Sequence, residues 1–128
     1  MKARKIIVAV MSATAWIAAS EFVRNEYLLK AYWVHHYGSL GLGYPSSPMN
    51  GAVWGIWSLV FAVVIFAISR KFSPLQAVVL SWVIGFLMMW LVIGNLGVLP
   101  FGILSYAVPL SLLEVFVATL IVRRLGAR

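Results

Sequence analysis

The chain has 128 residues, of which 63% are hydrophobic and 10% are charged, and its net charge is +7. Soluble domains have about 25% charged and about 45–50% apolar residues, so a water-soluble globule could not cover this much apolar surface. The sequence therefore predicts an all-α integral membrane bundle with the lipid bilayer as its solvent. The absence of cysteine excludes disulfides and thiolate metal sites. The positive charge lies in small clusters at the ends of apolar segments, so we expect it to set topology and to bind no nucleic acid.

Four apolar segments are typical of transmembrane helices, and we interpret the chain as a single transmembrane domain. Each is close to the roughly 20 residues needed to cross a hydrocarbon core of about 30 Å. The first segment also has the basic start and apolar core of a signal peptide, and we interpret it as a true first span. The predicted spans cover residues 6–23, 51–69, 75–93 and 101–122.

The basic residues predict the orientation of these spans. Only Arg24 and Lys30 lie on the side that carries the long first connection and the short third one. By the positive-inside rule, the sequence predicts a multi-pass protein of the cell (inner) membrane with both termini in the cytoplasm. The other eight of the ten basic residues share the opposite side: Lys2, Arg4, Lys5, Arg70, Lys71, Arg123, Arg124 and Arg128.

The segment Glu21–His36 carries most of the ionisable groups found outside the basic clusters. A single helix from Ile6 to His36 would be about 46 Å long, well beyond the hydrocarbon core. Either this helix projects from the membrane, or it bends near Glu21–Asn25 and continues as an interfacial helix. The loop that follows, residues 37–50, has three glycines, two prolines and three serines, and its apolar residues favour an ordered cap over a flexible linker.

Helical spacing at about 100° per residue sorts this segment into two polar faces. Glu26 and Lys30 lie on one face at i,i+4 spacing, which is typical of a solvated ion pair. The Glu21, Arg24 and Asn25 side chains, on the other face, either neutralise one another at the interface or face the bundle and bind a headgroup, an anion or a cation. The residues of this second face are Glu21, Arg24, Asn25, Tyr32, His35 and His36.

Glu114 lies near the centre of the fourth span, with no ionisable residue close to it in sequence. A charge at the centre of a membrane helix costs about 2.5–3.5 kcal/mol on insertion scales. Glu114 is therefore either a carboxylate that binds a proton or a cation, or a neutral side chain hydrogen-bonded to a neighbouring helix or across a dimer contact. Pro109, earlier in the same span, frees a backbone carbonyl and could admit water or a ligand.

The two histidines are weaker candidates for chemistry. His35 and His36 are adjacent, so on a helix they point about 100° apart and cannot easily share a metal ion. We predict no metal site, because zinc needs three or four ligands at suitable spacing. We expect the histidines to form hydrogen bonds at the outer surface, with a pH-sensitive role there as the alternative. Asn95, in the turn between the last two spans, is the remaining polar candidate, and no motif identifies a cofactor.

Three hypotheses for function follow, in this order. The first is a protein that binds or transports a small hydrophobic or cationic solute through Glu114. The second is a non-catalytic accessory or scaffold subunit of a membrane complex, and the third is an interfacial enzyme that acts on a lipid or quinone. Four short spans leave little interior for a pathway, so we expect a homo-oligomer or a membrane partner subunit. A water-reachable cavity at Glu114 would favour the first hypothesis, and a dry helix contact the second.

Overall fold

The computed structural model describes residues 2–126, which form helices and connecting turns without a strand. The helices are α1 (Lys2–Phe22), α2 (Lys30–Ser39), α3 (Pro48–Lys71), α4 (Pro74–Trp82), α5 (Met88–Asn95) and α6 (Leu104–Leu125). Two π-helical turns extend α1 and join α4 to α5, and a 3₁₀ turn precedes α6; these are Val23–Leu28, Val83–Leu87 and Phe101–Ile103.

Four stretches of this chain are long and apolar enough to cross a membrane, as the sequence predicts. They are Lys2–Leu28, Pro48–Lys71, Pro74–Asn95 and Phe101–Leu125. The all-helical architecture, with four helices long and apolar enough to cross a membrane, is therefore confirmed in the described residues. Which side of the membrane holds the termini stays a prediction.

Two of the helices begin earlier than their apolar stretches, because serine residues cap them. The Ser47 backbone N–H donates to Asn50 Oδ1 at 3.1 Å, and the Ser73 N–H donates to Gln76 Oε1 at 3.1 Å. Each serine is followed by a proline at the first helical position. Reciprocal capping of this kind fixes a helix start, so α3 begins at Pro48 and not at residue 51.

Helices α1, α3 and α6 pack against one another, and α4 packs on α3 and α6. Ala9, Ala13 and Ile17 of α1 are fully buried, as are Ala62 of α3 and Ala118 of α6. Small residues at helix contacts allow close approach of the backbones in an apolar solvent. The first segment is thus a core helix of the bundle.

One end of the bundle carries basic residues, and the other end is covered by α2 and the loop that follows it. Arg123 at the end of α6 donates to the backbone carbonyls of Ser69 at 2.9 Å and Phe72 at 3.2 Å, which joins the α3–α4 connection to the C-terminal end of α6. We name this the basic end. At the opposite end, residues 30–47, which comprise α2 and the following loop, form a structure that we name the cap.

The cap begins where the first helix bends. The π-helical turn carries the helix to Leu28, and the helix breaks at Leu29 (φ −112°, ψ 4°). The bend therefore occurs, but it lies beyond the predicted Glu21–Asn25. Inside the cap, Trp33 stacks on Tyr44 with ring centroids 6.2 Å apart, and Tyr37 packs edge-on against Tyr44 at 5.4 Å. These contacts show the ordered cap; its location at a membrane interface stays a prediction.

Gly85 leaves space for the ring of Phe61 from α3 in the bundle core. A Cβ at this position would overlap the buried Phe61 ring, which Trp57 and Phe86 hold at centroid distances of 4.9 and 5.8 Å. Gly85→Ala should therefore lower the free energy of unfolding by about 1–3 kcal/mol, as for other overpacked cores.

The measurement is reversible unfolding of the purified protein in detergent micelles. The matched control is Gly55→Ala on α3, where an added Cβ meets no atom within 4 Å. That change should stabilise the helix by up to about 1 kcal/mol. Equal effects of the two substitutions would show that the Phe61 contact does not constrain position 85.

Candidate functional site

Arg24 joins two acidic side chains from different helices inside the bundle. Its Nη2 donates to Oε1 of Glu21, three residues earlier, and its Nη1 donates to Oε1 of Glu114 on α6 at 3.3 Å. Glu21 and Arg24 are each 4% exposed and Glu114 is fully buried. We name these residues the charged triad. Of the two sequence-based interpretations of Glu21 and Arg24, the structure favours the one in which they face the bundle.

Local helix geometry positions the guanidinium. Arg24 lies in the first π-helical turn, Val23–Leu28, and Phe86 lies in the second, Val83–Leu87. The Arg24 Cζ atom is 5.0 Å from the centroid of the Phe86 ring, within the range of a cation–π contact. Wider helical turns of this type are rare in proteins, and many of those that do occur lie at functional sites. Here the contact between Arg24 and Phe86 joins the two turns.

Glu114 is tied to α1 through its backbone as well as its side chain. Trp16 Nε1 donates to the Glu114 carbonyl oxygen at 2.9 Å. The side chains of Glu21 and Ser20 approach the Glu114 carboxyl group, but its Oε2 atom has no hydrogen-bond partner among residues 2–126. A buried acceptor without a partner is costly, so this oxygen is available for a proton or a bound group.

The composition of the charged triad leaves its charge unbalanced. Glu21 and Glu114 supply two carboxylates, whereas Arg24 supplies one guanidinium. An uncompensated charge in an apolar interior costs several kcal/mol. The triad is therefore neutral only when it holds one further positive charge, which can be a proton or a cation.

A cavity of about 270 Å³ lies between the charged triad and the cap. Its polar side is formed by Glu21, Arg24, Asn25 and Asn50. We name it the aromatic cavity, because four parts of the chain contribute aromatic side chains to its walls. These side chains are Trp33, Tyr37, Tyr44, Trp54 and Trp90.

Asn25 connects the triad to the cap. Its Nδ2 donates to Glu21 Oε2 at 3.0 Å, and its Oδ1 accepts from Trp33 Nε1 at 3.2 Å. A continuous set of hydrogen bonds thus runs from Glu114 through Arg24, Glu21 and Asn25 to the cap. The position of the cap and the arrangement of the buried charges are therefore physically linked.

A second cavity of about 310 Å³ lies beside the first, between α1 and α3. We name it the side groove. Ala18 of α1 and Gly51, Gly55 and Ser58 of α3 line it. Acidic side chains, Glu21 and Glu26, also line the side groove, whereas its lining contains no lysine or arginine.

The other predicted site residues lie apart from both cavities. His36 Nε2 lies 2.7 Å from the Gly97 carbonyl oxygen, which attaches α2 to the turn after α5, and His35 and Asn95 are exposed. Glu26 and Lys30 form the predicted pair at 3.3 Å near the surface. The structure thus brings together four of the seven predicted site residues: Glu21, Arg24, Asn25 and Glu114.

The aromatic walls are the part of the site that the sequence does not reveal. Trp33 and Tyr44 come from the cap, and their position over the bundle depends on the bend at Leu29. Trp90 and Phe86 lie within an apolar span, where nothing in the spacing distinguishes them from lipid-facing or core aromatics. The one available signal is the unusual apolarity of the loop that contains Tyr44.

Comparisons with protein-family models, with curated proteins and with solved structures give no match. The fold and site define a small bundle of four helices able to span a membrane, with a buried charged triad below a capped cavity.

Arg24→Met should lower the free energy of unfolding by about 3–5 kcal/mol, because it leaves two buried carboxylates without a counter-charge. The measurement is unfolding in detergent micelles. The matched control is Lys30→Met, since Lys30 belongs to a partly exposed pair and should contribute less than about 1 kcal/mol. A loss below about 1 kcal/mol for Arg24→Met would show that Arg24 behaves as an exposed interfacial residue.

Tyr44 gives the cap a distinctive pH dependence. Burial, together with the nearby Glu26 carboxylate and Tyr37, raises the pKa of Tyr44 to about 12; a free tyrosine has a pKa of about 10. The folded cap therefore retains the Tyr44 proton after an unfolded chain has lost it. The resulting stability is complete below about pH 10 and is lost as the pH rises towards about 12.

Ultraviolet absorbance of tyrosinate measures this titration directly. One of the five tyrosines should titrate late, and Tyr44→Phe should remove that late component while Tyr27→Phe, an exposed control, leaves it. Titration of all five tyrosines as one group near the ordinary pKa would contradict the burial of Tyr44.

Proposed function

We propose that the protein binds a small hydrophobic organic cation in the aromatic cavity, with the charged triad as its counter-ion. The observation that carries this proposal is the placement of Glu21. Its buried carboxylate lines a cavity with five aromatic side chains, and it belongs to a triad with one carboxylate more than its guanidinium can balance.

The charges of the site favour a cation over an anion or a neutral ligand. The Arg24 guanidinium already contacts two carboxylates and the face of Phe86, so little of its charge is available to an anion. An anion would also give the buried site a net negative charge even when the triad holds one proton. A cation can instead replace that proton and keep the site neutral, and the faces of Trp and Tyr rings attract cations as well.

The size of the cavity limits the ligand. Its volume of about 270 Å³ is at the lower limit of ligand pockets, which start at about 300 Å³. A headgroup such as an aromatic amine or a quaternary ammonium with short substituents fits this space. A large planar drug or a whole lipid does not.

Charge balance couples this binding to a proton. Without a bound cation, a proton on one of the two carboxyl groups of the triad keeps the buried site neutral. A cation that enters the aromatic cavity replaces that proton. Glu114 takes part through Arg24, although it lines neither cavity itself, and its unpartnered Oε2 is a place where the proton can reside.

Binding at the cap end is the supported part of the proposal, and transport would need a further rearrangement. Buried side chains of α3 and α6, among them Phe61, Ile65 and Val115, fill the bundle between the aromatic cavity and the basic end. Passage of a solute would require Arg24 to leave Glu114. We therefore propose the structure as a state that is closed towards the basic end.

An accessory subunit is the second candidate. Glu114 is fully buried at a helix contact and lines neither the aromatic cavity nor the side groove, and such a placement of Glu114 is the one that favours an accessory subunit over binding through Glu114 itself. In that case the charged triad would hold α1 to α6 and nothing else. An interfacial enzyme gains no support, because His35 and His36 lie away from the aromatic cavity.

The test uses the purified protein in lipid nanodiscs and benzyltrimethylammonium as the probe, with binding followed by tryptophan fluorescence. Saturable binding is expected, because Trp33, Trp54 and Trp90 line the cavity. Glu21→Gln should weaken binding at least about tenfold, which corresponds to about 1.4 kcal/mol. The anion benzenesulfonate, of similar size, should not bind.

Glu26→Gln is the matched control, because Glu26 lies outside the lining of the aromatic cavity and carries the same charge. Because Glu26 lies near Tyr44 but outside the charged triad, Glu26→Gln should weaken binding less than Glu21→Gln does. Equal affinity of the wild type, Glu21→Gln and Glu26→Gln for the probe, or no saturable binding at all, would overturn the proposal and favour the accessory subunit.

A further inference from the structure

We propose that the ligand is a cationic amphiphile with a single alkyl chain, and that it enters from the membrane through the side groove. This inference rests on the proposed function, since it assumes that the aromatic cavity binds a cationic headgroup. It adds the source of the ligand, which is the bilayer, and the part of the molecule that stays there, which is the chain.

The side groove has room for a hydrocarbon chain at the level of the charged triad. Its walls include Ala18 on α1 and the glycines at 51 and 55 on α3. A Cβ at either glycine would meet no atom within 4 Å. The open space of about 310 Å³ is therefore a gap between α1 and α3. Larger side chains at the two glycine positions would fill this gap.

The groove borders exposed apolar side chains of both helices. Phe22, which lines the groove on α1, is 65% exposed, and Ile56, next to the lining residue Gly55 on α3, is 62% exposed; both belong to stretches long and apolar enough to cross a membrane. Apolar side chains exposed on such helices contact lipid chains. A groove between these helices is thus accessible to an amphiphile that is already in the bilayer.

The side groove and the aromatic cavity share part of their lining. Glu21, Asn25, Pro45, Asn50 and Trp54 line both, so a headgroup that moves from one to the other stays beside the Glu21 carboxylate. Glu21 and Glu26 are the charged residues of the groove lining. Because Lys30 pairs with Glu26, the charge that favours an ammonium over a phosphate or sulfate headgroup is the excess carboxylate of the charged triad.

Entry from water is obstructed by the cap. Trp33 and Tyr44 stack over the aromatic cavity, and the hydrogen bond from Trp33 to Asn25 holds this part of the cap to the bundle. A ligand from the aqueous side must break these contacts. A ligand in the side groove reaches Glu21 without displacing Trp33 or Tyr44, because the cap residues that line the groove are Pro45, Ser46 and Ser47.

The experiment compares two probes in nanodiscs, dodecyltrimethylammonium and benzyltrimethylammonium. Gly55→Phe places an aromatic ring in the groove at a position where an added Cβ meets no atom within 4 Å, and Ile56→Phe adds the same ring on the neighbouring exposed position. For dodecyltrimethylammonium, we expect the association rate to fall at least tenfold in Gly55→Phe and to stay within twofold in Ile56→Phe. The affinity for benzyltrimethylammonium should persist in both variants. Gly51→Leu provides a second filled groove if Gly55→Phe does not fold.

The outcomes separate this inference from the proposed function. Unchanged dodecyltrimethylammonium binding in both filled-groove variants would overturn lateral entry and leave the cation site intact. Failure of both probes to bind the wild type would overturn the cation site and this inference with it. Equal competition by uncharged decanol would overturn the choice of a cationic ligand and identify a site for alkyl chains alone. A changed oligomeric state of Gly55→Phe, measured by native mass spectrometry, would identify the groove as an interface between copies of the chain and overturn entry of a ligand.

Discussion

The contact of one guanidinium with two carboxylates determines how the first and last helices of this bundle lie against each other. Arg24 reaches from the end of the first span to Glu114 at the centre of the fourth, and Trp16 adds a hydrogen bond to the Glu114 backbone. In an apolar solvent these groups have no water with which to form hydrogen bonds. The rotation of both helices is therefore fixed by the need to bring the charges together.

Such a triad is a poor means of stabilising a bundle. Replacement of buried ion pairs by apolar residues is often neutral or stabilising, because desolvation of the charges offsets their attraction. Three ionisable residues in the interior, with an excess of one carboxylate, are better explained by a ligand or a proton that the site takes up. The aromatic cavity and the side groove, which both include Glu21 in their lining, give that ligand a place.

The four apolar stretches and the polar residues that interrupt them can be identified from the sequence, for one physical reason. In a chain with three acidic residues, a charged side chain within an apolar segment costs insertion free energy and is easily recognised. The polar face of Glu21, Arg24 and Asn25 and the isolated Glu114 can be identified in this way. Their contact cannot, because a separation of ninety residues between Arg24 and Glu114 gives no information on the rotation of two helices. The π-helical turns at Val23–Leu28 and Val83–Leu87 also shift the angular position of the side chains that follow them in each helix.

The break at Leu29 explains why the histidines lie apart from Glu21. An uninterrupted helix would place His35 and His36 on the face of Glu21, but the break at Leu29 starts a new helix with its own direction. His36 then attaches α2 to the turn after α5, and His35 faces outward. The aromatic walls have a similar origin, because a loop residue such as Tyr44 acquires its partners only when the bent segment folds back over the bundle.

The central claim is that the buried site has one negative charge too many and exchanges a proton for an organic cation. The most direct test is isothermal titration calorimetry of benzyltrimethylammonium binding in several buffers of different ionisation enthalpy, which gives the number of protons released. The charge balance of the triad predicts the release of about one proton per cation bound at neutral pH, and loss of that release in Glu114→Gln. Binding without any proton release in the wild-type protein would contradict the account.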